Sequence, residues 1–244
     1  MVTKVQFGRE DVNLLKYYEG TVFNVNTQAL VNTVNCIGVM GAGIALEFML
    51  RYPKMFEDYE AKCKDKKITT GKIDYYNNSD GRIIVNFPTK WHFKYPSKLI
   101  WIEQGLQDFV KTYQTYGINN VAFPKLGTSK GGLNWNDVKE LMEKYLSQLN
   151  IEVYICLDNR KEPEGIEKIM LESFNSTSIE QFTNIVKLNS KQKAVIQKSF
   201  PYDRFWKIAE TESIGIKTYS LVFKHFYSLA IENRSESRQL TLFD

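Results

Sequence analysis

With 244 residues, 43% of them hydrophobic and 14% aromatic, the chain has enough apolar material for a packed core. That length suits one large domain, or one domain with a smaller appendix. A formal charge of +4, from 32 basic and 28 acidic side chains, suits an anionic ligand but is too mild to mark a nucleic-acid-binding protein by itself. No apolar run reaches membrane-spanning length, and the N-terminus has no signal-peptide pattern. Cys36, Cys63 and Cys156 lie far apart without CxxC spacing, so a reduced, cytoplasmic protein without metal, other cofactor or membrane contact is expected.

Up to about Asp158, strand patterns alternate with helix patterns. Strands are expected near Lys4–Phe7, Leu14–Glu19, Ala29–Thr33, Ile73–Asn77, Ile83–Phe87, Asn120–Pro124 and Glu152–Cys156, and helices over Ile44–Arg51, Pro53–Lys64, Lys98–Gly117 and Asn136–Leu149. Asn134 and Asn136 are candidate N-caps, and Gly117 is a candidate helix stop. This alternation predicts an α/β fold with a mixed, largely parallel sheet and helices on both faces. The polar, breaker-rich segment 159–165 reads as a linker. Beyond it amphipathic helices are expected at Ile179–Leu188, Ser190–Ser199, Asp203–Glu212 and Ile216–Asn233. The spacing about Gly215 loosely fits a helix-turn-helix, and an ordinary small helical bundle explains it as well and is preferred.

Two glycine-rich loops carry the chemistry. In Val31–Ala45 an apolar strand pattern ends in asparagines, and Gly38, Gly41 and Gly43 follow before a helix opens. In Pro124–Trp135, Gly127, Gly131 and Gly132 again stand between a strand and a helix. Such junctions put bare N–H groups and a helix N-terminus around a small space, and on a parallel sheet they lie at the strands' carboxyl ends, where ligands collect. A diphosphate gripped from two sides fits that pattern.

Asn32-Thr33-Val34-Asn35 with Gly38–Ala45, then Asn86-Phe87-Pro88-Thr89-Lys90-Trp91-His92-Phe93, then Gly131–Trp135 resemble, in order, the motifs of the macrodomain family. The likeness covers about residues 1–158 and is nearest to the DarG-like branch of DNA ADP-ribosyl glycohydrolases, antitoxins to a DNA ADP-ribosyltransferase. It implies a three-layer α/β/α fold that binds ADP-ribose. By this resemblance Gly41, Ala42, Gly43 and Ile44 on one side, and Gly127, Thr128, Ser129, Lys130, Gly131 and Gly132 on the other, hold the pyrophosphate. Asn35 meets the distal ribose, and Thr21 and Val22 stand at the adenine end. Lys90 is the implied catalytic group: it either attacks the anomeric carbon of the distal ribose or holds a water there. His92 orients Lys90, protonates the leaving base or packs beside the loop. The sequence departs from the family where Thr21 replaces an adenine-binding aspartate, where Ser129 replaces a smaller residue, and at Gly131, the place of an aspartate that other glycohydrolases use.

The resemblance implies an ADP-ribosyl glycohydrolase that removes ADP-ribose from a modified base, thymidine above all, in DNA. The alternative is a non-catalytic module that binds ADP-ribose or a related NAD-derived signal. A third reading makes residues 166–244 a DNA tether. The helical region, 166–233, is expected to bind a partner such as the cognate toxin. In the tail, 234–244, Gln239, Leu240, Leu242 and Phe243 resemble a sliding-clamp-binding pentapeptide behind a solvated tether, Arg234–Arg238, and folding back onto the helices is the equal alternative.

Overall fold

The computed structural model describes residues 14–240, without the side chains of residue 184 and residues 235–240. Among these, 14–39 with 57–157 form one compact unit, and 40–56 with 158–240 form a second. The strand expected at Lys4–Phe7 lies outside the described residues.

The first unit is built on six strands: β1 (Leu15–Tyr18), β2 (Ala29–Val34), β3 (Asp74–Asn77), β4 (Ile83–Pro88), β5 (Asn120–Pro124) and β6 (Glu152–Cys156). Their order is β1-β6-β5-β2-β4-β3, and only β3 runs antiparallel, against β4. A mixed, largely parallel sheet is therefore present. Central β2 and β4 are buried on both faces, which is why apolar residues stand on both faces of each rather than alternating, interrupted by Asn32, Thr33 and Asn86.

One face carries Val31, Val85, Phe87, Phe123 and Ile155. It packs on Ile102, Leu106 and Phe109 of α3 (Leu99–Thr112) and on Val138, Met142 and Leu146 of α4 (Trp135–Leu146). The other face holds a polar row. Asn32 donates to Asn86 (3.1 Å), Asn86 to Asp74 (3.0 Å), and Lys62 of α2 (Pro53–Lys64) to Asp74 (2.7 Å). The row follows the register, in which Asn86 stands opposite both Asn32 and Asp74. Buried amides need such partners, so the row fixes the alignment of three strands.

The Asn134 side chain caps α4 by accepting from the Asn136 N–H (2.8 Å), whereas Asn136 lies inside the helix. α3 stops at Thr112, and the chain turns through residues that end at Gly117, in the left-handed region at φ 64°.

The second unit combines α1 (Gly43–Arg51) with α5 (Gly165–Ser176), α6 (Ile179–Ile185), α7 (Ser190–Ser199) and α8 (Ile216–Leu240). Its core gathers on Phe174, whose ring lies within 5.2–5.9 Å of Phe182, Phe200, Phe205 and Phe226. Leu46 and Leu50 of α1 join that core. Arg51 grips Glu47 one turn back (2.5 Å) and lies 5.0 Å from the Tyr227 ring of α8. Three expectations need correcting here. Helix α5 begins at Gly165, within the expected linker. Phe205–Glu210 is a 3-10 turn rather than an α-helix. Helix α8 runs through Arg234–Arg238, where a tether was expected; that stretch has good helix formers and neither Gly nor Pro.

Candidate active site

The carboxyl ends of β2 and β4 stay together after the sheet stops. Thr89 N–H donates to Val34 O (3.0 Å), then Cys36 N–H donates to Trp91 O (3.0 Å). Between these two ties the chain presents Lys90. Its ammonium is partly buried and donates to the backbone carbonyl of Lys130, in the loop that follows β5. Burial alone pulls the Lys90 amine below the ordinary lysine range, because removal from water disfavours the charged form. Cys36 places its Sγ 3.4 Å from Lys90 O, but burial pushes this thiol up to about 12, so it stays protonated and is no rival nucleophile.

Asn35 is buried, and its amide organises the turn after β2. Its Oδ1 accepts from Ile37 N–H (3.0 Å) and Val39 N–H (3.4 Å), and its Nδ2 donates to Val39 O (2.5 Å). Tyr59 Oη clamps the same residue from α2 by donating to Asn35 O (2.5 Å).

The second loop, 125–134, is a closed backbone coil. Gly132 N–H donates to Thr128 O (2.8 Å) and Leu133 N–H to Gly127 O (3.1 Å). Those closures leave the N–H groups of Ser129 and Gly131 without a protein acceptor among the described residues, available to an anion. Ser97 N–H holds the loop from outside by donating to Gly131 O (2.9 Å), and the Ser97 hydroxyl is buried without a partner. Gly131 has no room for a side chain: a Cβ there would stand 2.0 Å from Gly127 O and 2.6 Å from Ser97 Oγ. Gly131→Ala must therefore distort the loop that carries the Lys130 carbonyl. The expected outcome is a loss of about 1–3 kcal/mol of stability from overpacking, read as a lowered midpoint in a thermal melt.

Thr21 leads the 3-10 turn Val22–Asn24, with Asn24 N–H donating to Thr21 O (3.1 Å); Val22 is fully buried. His92 accepts the Lys94 N–H on Nδ1 (3.1 Å) and stacks on Phe93 at 4.6 Å, so one ring nitrogen serves the loop. In the second unit, Ala42 and Gly43 are exposed at the start of α1, which has no side-chain cap and no acidic residue in its first turn; Gly43, at φ 57°, adopts a conformation natural to glycine. Uncapped N–H groups of this kind suit an anion, with Ile44 next along the helix. Among the tail residues, Leu242 and Phe243 lie outside the described residues, as do the side chains of Gln239 and Leu240.

The sequence singles out Lys90 and both loops, and the structure joins Lys90 to the second loop. The sequence does not single out Ser97 and Tyr59, which set the loop and Asn35 from distant positions in the chain. No local motif marks either residue.

This sheet, with glycine loops at its carboxyl edge and a partly desolvated lysine between them in sequence, is the frame of a ligand-binding α/β domain. A family model described as the macro domain matches residues 31–142. The solved macrodomain of Mycobacterium tuberculosis DarG is 44% identical, with a TM-score of 0.56, over 58% of this chain and 96% of that one. The chain belongs to the macrodomain family. Its likeness within the family is to DarG proteins. A curated Mycobacterium tuberculosis protein named DNA ADP-ribosyl glycohydrolase is 41% identical over 164 residues, 65% of this chain and 47% of that protein. A Thermosipho africanus protein named as a DNA ADP-ribosyl transferase–DNA ADP-ribosyl glycohydrolase fusion is 33% identical over 180 residues, 65% of this chain and 46% of its own length. The solved Thermosipho africanus DarTG in complex with ADP-ribose is 32% identical, with a TM-score of 0.59, over 63% of this chain and 44% of that one. The chain spans about half the length of the curated relatives it matches.

Proposed function

We propose that this chain is an ADP-ribosyl glycohydrolase that frees thymidine in DNA from ADP-ribose, acting as the antitoxin to a DNA ADP-ribosyltransferase. The observation that carries the reading is Lys90: a lysine partly withdrawn from water, fixed on the loop that presents the Ser129 and Gly131 N–H groups. In this reading those N–H groups, with Gly127, Thr128 and Lys130 of the same loop, meet the pyrophosphate, while Gly132 closes the loop with its own N–H instead of meeting the ligand. By the family resemblance Gly41, Ala42, Gly43 and Ile44 are also pyrophosphate-binding residues, and Thr21 and Val22 adenine-binding ones. Asn35 shapes the turn beside the distal ribose. The bond that breaks joins the anomeric carbon of that ribose to the base nitrogen. The base leaves with a proton, and water's oxygen ends on the anomeric carbon. Lys90 either makes a transient bond to that carbon or orients the water, and His92 is the nearby group that can pass a proton. The relatives' names support the DNA substrate and the transferase partner.

The binding-only reading draws on Thr21, which offers adenine no carboxylate, and on the Asn35 amide, which is engaged by its own turn. One experiment separates the two. Incubated with an oligonucleotide carrying ADP-ribosyl-thymidine, the protein should release free ADP-ribose and restore unmodified DNA. Tight binding of free ADP-ribose with no release would establish the module instead.

A further inference from the structure

Beyond the ADP-ribose pocket, the loop that carries Lys90 continues as a row of exposed rings. Trp91, Phe93 and Tyr95 are 57%, 46% and 58% exposed, an unusual burden of aromatic surface for the short loop between β4 and α3. The rings are ordered against one another rather than splayed. Trp91 and Tyr95 are within 10° of parallel, with centroids 6.4 Å apart, and His92 stacks on Phe93. The loop itself is held in shape by Tyr95 N–H donating to His92 O (3.1 Å) and Lys94 N–H to His92 Nδ1 (3.1 Å). Water-exposed aromatic faces that are fixed by their own loop are surfaces built for contact.

The charge around them is one-sided. Residues 81–102 and 109–136 contain no Asp or Glu, while Lys90, Lys94, Lys98, Lys125 and Lys130 stand in the two loops after β4 and β5. The chain as a whole is nearly balanced, so these two loops are richer in positive charge than the rest of it. Lys94 and Lys98 lie against rings rather than carboxylates, 5.9 Å from the Phe93 centroid and 4.9 Å from that of Trp101. Flat apolar faces interleaved with cations match a polymer of π-faced bases on an anionic backbone. They match it when the bases are unpaired, because a duplex hides those faces.

We propose that Trp91, Phe93 and Tyr95, with Lys94 and Lys98, form a platform for the single-stranded DNA flanking the modified base, the rings stacking on neighbouring bases and the lysines meeting phosphates. The proposal rests on the glycohydrolase reading for the identity of the modified base, and it adds which form of DNA is taken and by which surface. It predicts that the enzyme discriminates between a modified oligonucleotide and the same modification on a lone nucleoside, which reaches the pocket but not the platform.

The test compares wild type with Phe93→Ala/Tyr95→Ala and, separately, Lys94→Ala/Lys98→Ala. The substrates are an ADP-ribosylated single strand of about ten nucleotides and ADP-ribosyl-thymidine alone. Each double variant should lose about tenfold or more in kcat/KM on the oligonucleotide, in line with the worth of a stacked base, and less than about twofold on the nucleoside. Unmodified single strands should bind wild type more tightly than the matching duplex, with affinity falling as salt rises and a shallower slope for the lysine variant. Equal losses on both substrates, undiminished activity on the oligonucleotide, or equal binding of duplex and single strand would overturn the platform. Should wild type hydrolyse neither substrate, the glycohydrolase reading falls on its own, and the binding of unmodified strands still decides for or against the platform.

Discussion

Replacing Lys90 with alanine is expected to cut hydrolysis of ADP-ribosyl-thymidine DNA by about 10²–10⁴-fold while free ADP-ribose binds within about tenfold of wild type. The split follows from where the group sits. Lys90 contacts the second loop through one backbone carbonyl, and that loop is closed independently by its own hydrogen bonds and by Ser97. Loss of the amine therefore removes chemistry at the ribose more than it dismantles the phosphate cradle. Lys90→Arg sharpens the result. Arginine can still donate to the Lys130 carbonyl, but it offers no free amine at any working pH. An arginine variant as inactive as alanine means that the uncharged amine reacts; retained activity means that the cation only positions the ribose and water. The pH profile gives a third reading. Burial lowers the Lys90 pKa from its usual value of about 10.4, so the free amine becomes more abundant as pH rises through the lowered value. Amine chemistry then gives kcat an ascending limb with its midpoint below 10.4, absent from both variants. Single-turnover kinetics across pH would record it.

What was legible in the sequence divides along a physical line. The sequence delimits β5 and β6 to the residue, and β2 and β4 to within one, because each gathers β-branched and aromatic residues into a short cluster bounded by polar or turn residues. The glycine loops were legible for the opposite reason: few residues besides glycine tolerate Gly43's φ or the closeness of Gly131 to Gly127. Helix α5 was overlooked although Ile166, Met170 and Phe174 repeat at four-residue intervals, since its start is submerged in the polar run 159–165. The 3-10 turn at Phe205 was misread as α-helix because its shape follows from distant partners: Arg204 and the Phe205 N–H are both tied to Glu167. Contacts between segments far apart leave no periodic trace. That also explains why Ser97 beneath Gly131, and the enlistment of Leu46 and Leu50 by the aromatic core of the second unit, emerge only in three dimensions.

The largest stability effect is expected at Arg204, in the helical unit. Its guanidinium is almost wholly buried and grips both oxygens of Glu167, at 2.8 and 2.9 Å, while also donating to Asp158 (3.1 Å) and to Arg160 O (3.0 Å). Glu167 in turn accepts the Phe205 N–H at 3.0 Å, so one ion pair sets the entrance to the 3-10 turn and its bond to α5. Arg204→Ala leaves the Glu167 carboxylate in a site only 13% exposed with no cation beside it, a loss of about 3–5 kcal/mol. Urea unfolding should show the transition of the helical unit shifted by that amount, with hydrogen exchange in α5 and α8 assigning it. Most of this penalty belongs to the stranded charge rather than to the attraction that was lost. Combining Arg204→Met with Glu167→Gln, which retains an acceptor for Phe205 N–H and removes the charge, should therefore recover at least about half the loss. A double variant no more stable than the single would assign the effect to packing around Phe205 instead.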